Sequence, residues 1–342
     1  MAEPLLEIED LTVKYRTQGE AVTAVSNASF TVKEGEYFGL VGESGCGKTT
    51  LIKSILGGLD DNGYVDSGTI RYRGEEVQDF SDSELNETLR WKEISWIPQG
   101  SMSSLDPLQR IDEQAIEIGK VHTDRDRDEI LERLRELFDI VGLQESRIHD
   151  YPHQFSGGMQ QRALIALSLF LDPAIIVADE PTTALDVIMQ DQVFKYLDEI
   201  KESQDTSMIL VTHDISVVFE SCDQMAIMHA GQVAERGPVK EVFDNPRHPY
   251  SILLQEAFPD VRYPDRELEI IDGSPPQNVG TVDYCTFADR CPWAVEDCRV
   301  EAPASRDVGD HEDHAAACIR SDEVLEMYRE EQGRQPVESD SI

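Results

Sequence analysis

Eight consecutive residues constrain this chain more than any other feature. Gly42-Glu43-Ser44-Gly45-Cys46-Gly47-Lys48-Thr49 fits G-x-x-x-x-G-K-[ST], with a short apolar run, Tyr37 to Val41, in front of it. Behind it, Thr49 to Leu56 carries Leu51, Ile52, Ile55 and Leu56 at helical spacing. Glycines let the backbone curl so that successive N–H groups face one anion, and the helix adds its positive end. Lys48 is then placed to reach the β- and γ-phosphates of a nucleotide, and the Thr49 hydroxyl to ligate Mg²⁺. Gly42, Ser44, Gly45, Cys46, Gly47, Lys48, Thr49 and Thr50 form the candidate nucleotide site, with Cys46 serving as a small residue.

A second site fits the first. Ile175-Ile176-Val177-Ala178 reads as a buried strand ending in Asp179-Glu180. Two adjacent carboxylates at such a position need a cation or a proton to handle. Asp179 suits Mg²⁺, held through water, and Glu180 suits the polarisation of a water that attacks the γ-phosphate.

The rest of the chain supplies a frame for these sites. Leu5 to Val13 and Ala28 to Val32 read as strands, as do Ala174 to Ala178 and Met208 to Val211. Asp106 to Arg147 is helical and highly charged, with Ile130, Leu131, Leu134, Leu137, Phe138 and Val141 as its apolar face. Strands alternating with helices predict a mainly parallel sheet covered on both faces. After about Leu254 the chain becomes loop-rich, and the polar end from Glu331 onward predicts disorder.

Composition narrows the setting. No run approaches the about 18 apolar residues that a membrane span requires, and the acidic start Met1-Ala2-Glu3-Pro4 lacks the pattern of a signal peptide. The chain is therefore expected to stay in the cytoplasm. It carries 68 Asp and Glu against 30 Lys and Arg, a formal net charge of −38. The acids interleave with ordinary hydrophobic periods, so a folded protein adapted to molar salt is expected, a halophile by composition. A duplex nucleic-acid partner is disfavoured, because phosphate binding needs a basic footprint.

Phe155-Ser156-Gly157-Gly158-Met159-Gln160-Gln161-Arg162 resembles the signature sequence of ATP-binding-cassette proteins. Physically it is another anion site, a helix start where Ser156 caps and Gly157 and Gly158 offer N–H groups. The resemblance implies that Ser156, Gly157, Gly158 and Gln160 face ATP held by a second cassette, in a head-to-tail dimer. It further implies that Tyr15 stacks on adenine, that Gln99 senses Mg²⁺ and the attacking water, that Asp186 lies in the loop crossing the dimer, and that His213 contacts the γ-phosphate. Pro181 to Val187, Asn245 to Ser251 and Ile271 to Pro276 look like the dipeptide/oligopeptide/nickel importer ATPases, D-type subunit. Gly100-Ser101 departs from that pattern, where the family usually carries an acidic residue and Pro.

The implied fold is α/β: a RecA-like phosphate-loop ATPase core with an antiparallel β subdomain, an inserted helical subdomain over about 102–170, and a small loop-rich C-terminal segment. The expected divisions are a cassette over 1–258, the segment over 259–325 and an acidic tail over 326–342. The implied activity is ATP hydrolysis coupled to uptake of peptides or a related solute. Expected partners are a second cassette ATPase (a paralogue), two integral membrane subunits and, indirectly, an external solute-binding protein. The implied location is the cytoplasmic face of the membrane. Non-transport cassette ATPases are the alternative. Translation factors usually carry tandem cassettes, however, and chromosome ATPases insert a long coiled coil, whereas Lys48 and Ser156 lie only 108 residues apart.

Cys285-x₅-Cys291-x₆-Cys298-x₁₉-Cys318 is wider-spaced than most zinc sites. In a reducing compartment disulfides are a poor reading. A [4Fe–4S] cluster is favoured over zinc or free thiols, and the segment resembles the C-terminal cluster segment of the peptide-importer ATPases. Such a segment is poor in apolar runs, so it is expected to depend on the cluster for order, the cluster itself being structural and distant from the ATP site. His314 reads as surface, His248 as part of a turn and Cys222 as packing.

Overall fold

The computed structural model describes residues 3–100, 104–181, 206–257, 271–276, 278, 280–309, 311 and 313–331, with 190, 193 and 195. Asp186, Met102, Ser103 and the tail beyond 331 lie outside the described residues. Two sheets organise the chain. The first is antiparallel, in the order β2 (Val22–Lys33), β1 (Pro4–Tyr15), β4 (Gly63–Tyr72) and β5 (Glu75–Glu76). Alternation in β1 and β2 turns Leu6, Ile8, Val25, Phe30 and Val32 into one apolar layer.

Among the described residues the second sheet has eight strands. Its parallel part runs β9 (Gln224–His229), β3 (Tyr37–Val41), β8 (Ser207–Thr212), β7 (Ile175–Asp179) and β6 (Ile94–Ile97). Every residue of β3, β7 and β8 is buried, as strands covered on both faces must be. Strands β10 (Gln232–Pro238), β12 (Ala315–Ala316) and β11 (Arg306–Asp307) extend it antiparallel beyond β9. The strand signals in the sequence do not include β4 to β6 or β9 to β12. Several of these are very short, and β9 and β10 are joined by Ala230-Gly231, both at positive φ.

Helix α1 (Lys48–Ile55) follows β3, and α2 (Asp82–Thr88) precedes β6. The charged stretch becomes α3 (Ile111–His122) and α4 (Arg127–Ile140), with α5 (Gly157–Ser168) packed beside α4. Asp126 caps α4 by accepting from the N–H groups of Asp128 and Glu129, and Glu129 answers its backbone. The predicted apolar face of α4 is buried throughout. Truncating Phe138 there to Ala would cost about 3–5 kcal/mol. Among the described residues no helix is long and apolar enough to cross a membrane.

Part of the C-terminal segment packs on the body. Cys285, Phe287, Ala288 and Cys298 join the main hydrophobic core, and β12 pairs with β10. The segment is thus part of the body, because a few well-placed aromatic and small residues bury it without long apolar runs.

Candidate functional site

In an open parallel sheet, ligands gather at the carboxyl ends of the strands. Here β3, β8, β7 and β6 are neighbours, so the residues just beyond each of them meet at one edge. The end of β3 delivers the loop of residues 42–47 and the start of α1. Gly47 has φ +105°, and a Cβ there would lie 2.3 Å from the Ala24 carbonyl oxygen, so only glycine fits. Lys48 is buried, and its Nζ donates to the carbonyls of Gly42 (2.6 Å) and Glu43 (3.1 Å). The ammonium therefore sits within the curl of its own loop. Cys46 is buried beneath it, and burial raises its thiol pKa, keeping it neutral packing.

The end of β7 delivers the carboxylates. Thr49 Oγ1 donates to Asp179 Oδ2 at 3.1 Å, which joins the loop helix to the neighbouring strand. Burial, reinforced by the adjacent Glu180 carboxylate, raises the Asp179 pKa above the ordinary range. Glu180 continues the pairing to β8 through its N–H, which donates to the Val211 carbonyl at 2.8 Å. Its φ is +48°, a conformation that costs a non-glycine residue roughly 1–3 kcal/mol and concentrates at functional sites. That turn aims the carboxyl at two partners from the flanking strands. Gln99, after β6, donates from Nε2 to Glu180 Oε2 at 2.7 Å, and His213 Nδ1, after β8, lies 3.1 Å from Oε1. The sequence separates these three residues by 81 and 33 positions; the strand order brings them together.

Tyr15 is half-buried, and its hydroxyl lies 3.3 Å from Thr50 Oγ1, beside the loop helix. Ser156 stands at the N-cap of α5, yet its side chain makes no cap hydrogen bond. The expected cap is corrected: the exposed hydroxyl and the first N–H groups of α5 are left for another partner. Gln160 lies in the first turn of α5. It is buried, and its Nε2 donates to the Pro152 carbonyl at 2.8 Å, bracing the segment before α5, while its Oε1 has no hydrogen-bond partner.

Cys285, Cys291, Cys298 and Cys318 line one cavity, with Phe287, Trp293 and Pro249 among its other walls. All four thiols are free. Burial raises the pKa of Cys285 and pushes Cys291 up to about 12 and Cys318 up to about 11, and the neighbouring thiols add to this. Among the described residues no three His, Cys, Asp or Glu side chains form a group that could hold a metal ion. His314 is buried rather than on the surface, with Nε2 2.7 Å from the fully buried Glu235 carboxylate. His248 is likewise buried and caps the helix Pro249–Glu256 through Nδ1. Cys222 is only partly buried, packed against the main core.

One residue of the cysteine segment reaches the nucleotide site. Arg290, next to Cys291, reaches Glu43 inside the Gly42–Thr49 loop, with Nη1 to Oε2 at 2.7 Å and Nη2 to Oε1 at 2.8 Å. The Glu43 N–H in turn donates to the buried Tyr250 hydroxyl at 3.2 Å. Sequence reasoning missed Glu43, His229, Tyr250 and Arg290 because they are brought together over as many as 247 residues. The one available signal was an acid at a free position of the loop motif.

A family model described as ABC transporter matches residues 25–183, and one described as oligopeptide/dipeptide transporter, C-terminal region, matches residues 234–298. The chain is 41% identical over 304 residues to the oligopeptide transport ATP-binding protein OppD of Salmonella typhimurium, covering 88% of this chain and 90% of that protein. The OppD of Escherichia coli is 40% identical over 304 residues, with the same coverage of 88% and 90%. Among solved structures, the ATP-binding cassette MJ0796, dimeric and bound to ADP and phosphate, superposes with a TM-score of 0.61. It is 29% identical and covers 68% of this chain and 98% of its own. The cbiO1 subunit from Clostridium perfringens, part of an ABC transporter complex, gives 0.61 at 26% identity, covering 74% of this chain and 94% of its own.

Proposed function

The chain belongs to the ABC transporter ATPases, in the branch of the oligopeptide transport ATP-binding proteins, and we propose that it hydrolyses ATP to drive peptide import through separate membrane subunits. The observation that carries this reading is the meeting of the Gly42–Thr49 loop, Asp179, Glu180, Gln99 and His213 at one sheet edge, in a chain whose residues 234–298 match the oligopeptide/dipeptide transporter C-terminal region. That second match leaves no specific support for a non-transport cassette.

The loop N–H groups and Lys48 bind the β- and γ-phosphates, and Tyr15 offers a face to adenine. Thr49, Asp179 and Gln99 would hold Mg²⁺, which when bound neutralises charge on the phosphates. The fit is chemical: hydroxyl, carboxylate and amide oxygens are hard donors, and Thr49 and Asp179 are already within 3.1 Å. Mg²⁺ takes few protein ligands and completes its shell with phosphate and water. Glu180 is the general base, oriented by Gln99 and His213 from either side. The open N-terminus of α5, with Ser156, Gly157 and Gly158, faces the γ-phosphate of the opposite cassette in a head-to-tail pair. The opposite cassette is a paralogue.

We further propose that the four cysteines would take up a [4Fe–4S] cluster, for which their thiols would have to converge, since as they stand the described side chains form no metal-holding group. What supports this is a shared cavity lined by four thiols. A single zinc needs its sulfurs within about 2.3 Å of one point, whereas a cluster spreads four thiolates around a larger volume. Burial that raises the thiol pKa values also means that thiolates form there only against nearby positive charge.

The whole reading is tested by affinity purification from membranes. Two integral membrane subunits should co-purify, and in proteoliposomes ATP hydrolysis should rise when peptide-loaded binding protein is added. Co-purification with ribosomes or DNA instead, or hydrolysis indifferent to peptide, would overturn it.

A further inference from the structure

Glu43 is a junction. Its carbonyl accepts from Lys48 Nζ at 3.1 Å, its N–H donates to the Tyr250 hydroxyl at 3.2 Å, and its carboxylate takes both Arg290 nitrogens. The arginine is held as firmly from its own side. Nε donates to the Asp272 carbonyl at 2.9 Å, Nη2 to the Ile271 carbonyl at 3.4 Å, and Nη1 reaches His229 Nε2 at 3.1 Å. All five guanidinium N–H groups thus have acceptors, and the side chain is 6% exposed.

The histidine is part of the same construction. Thr286 Oγ1 donates to the His229 carbonyl at 3.2 Å, so its lone pair receives the Nδ1–H of His229, 3.0 Å away. That arrangement leaves the Nε2 lone pair for Arg290. Phe287 packs edge-on against His229, with ring centroids 5.1 Å apart. Thr286, Phe287 and Arg290 all lie between Cys285 and Cys291, two of the thiols that line the cavity.

We propose that Arg290 is a positioning residue for the nucleotide: it fixes Glu43, and through it the Gly42–Thr49 loop and Lys48, while neutralising a carboxylate that would otherwise stand beside the triphosphate. A partly buried pair that loses one partner leaves an uncompensated charge, and here that charge sits on the loop that binds an anion. Lysine cannot replace Arg290, since a point ammonium cannot make the bidentate contact and the three further bonds together. This inference rests on the loop being the nucleotide site.

The test uses the full chain and four variants: Arg290→Gln, Arg290→Lys, Glu43→Gln and the double change Glu43→Gln/Arg290→Gln. Arg290→Gln should raise the Kd for MgATP about tenfold, in the range of contacting pairs. KM for ATP should rise with it while kcat changes less, because Gln99, Glu180 and His213 are untouched. Arg290→Lys should not rescue. Adding Glu43→Gln to Arg290→Gln should recover most of the affinity, which a merely structural loss would not do. Because coupling is reciprocal, saturating MgATP should slow amide exchange across residues 285–300 of the unaltered protein, a readout that needs no variant to fold. Unchanged Kd and KM in Arg290→Gln, no recovery in the double variant, or no protection by MgATP would each overturn the proposal. Failure of the unaltered chain to bind MgATP would instead defeat the reading of the loop itself.

Discussion

Gln99 Nε2 and Glu180 Oε2 lie 2.7 Å apart, one residue following β6 and the other following β7 in the same parallel sheet. The contact leaves the carboxyl little freedom, because His213 approaches its other oxygen at 3.1 Å and the backbone beneath it is left-handed. A general base held in this way works only if both neighbours stay in place.

Gln99→Ala and His213→Ala should each lower kcat by about 10²-fold, the lower end of the range for acid–base contributions. MgATP affinity should change less than kcat in His213→Ala. Steady-state hydrolysis alongside equilibrium nucleotide binding checks this. Turnover unchanged in both variants would remove the orienting role.

The raised Asp179 pKa predicts how Mg²⁺ binding responds to pH. A carboxyl whose pKa is higher folded than unfolded binds its proton more tightly in the native state. Its contribution to stability is therefore greatest at acid pH and is lost as pH rises through the raised value. Mg²⁺ must displace that proton, so the gain in Tm from MgATP should be larger at pH 7 than at pH 5. Asp179→Asn should flatten the difference. An equal gain at both pH values in the unaltered protein would contradict the assignment of Asp179.

The charge of −38 predicts a salt requirement. Raising KCl from about 0.1 M to about 1 M shortens the screening length from about 10 Å to about 3 Å and relieves repulsion among the acids. Exposed pairs such as Lys53 with Asp60 at 3.0 Å contribute too little to offset that gain when screened. Tm should rise across a KCl series. A flat or falling Tm would count against adaptation to molar salt.

Protein purified without oxygen should be brown and hold about four irons per chain, the content of a [4Fe–4S] cluster. Cys298→Ser should bleach it and expose residues 285–300 to protease. One zinc without iron would replace the cluster with a single ion. Neither metal, with four alkylatable thiols, would leave the cysteines as packing.

The sequence shows the parts that are local and hides those that depend on register. Gly42 to Thr49 and Asp179-Glu180 are legible because each chemistry needs fixed residue types over a few positions. The apolar face of α4 is legible because burial repeats every third or fourth residue. Strands as short as β11 and β12 carry no periodicity, so the attachment of the C-terminal segment to the main sheet cannot be read. The Glu43–Arg290 pair is hidden for a related reason, since an acid in a loop and an arginine beside a cysteine become partners only once the sheet is assembled. Gln160 sits in a familiar motif that suggests contact with ligand, and the sequence does not show that its Nε2 donates within its own segment, to the Pro152 carbonyl.

The central claim is that Glu180 performs the chemistry and the Gly42–Thr49 loop performs the binding. Glu180→Gln keeps the size of the side chain and its reach toward Gln99 and His213 but removes the base. Hydrolysis and MgATP binding should be measured on the same preparation of this variant and of Lys48→Ala. The account predicts that Glu180→Gln loses about 10²–10⁴ in turnover with MgATP affinity retained, while Lys48→Ala loses affinity itself. Turnover in Glu180→Gln equal to that of the unaltered protein would contradict the account.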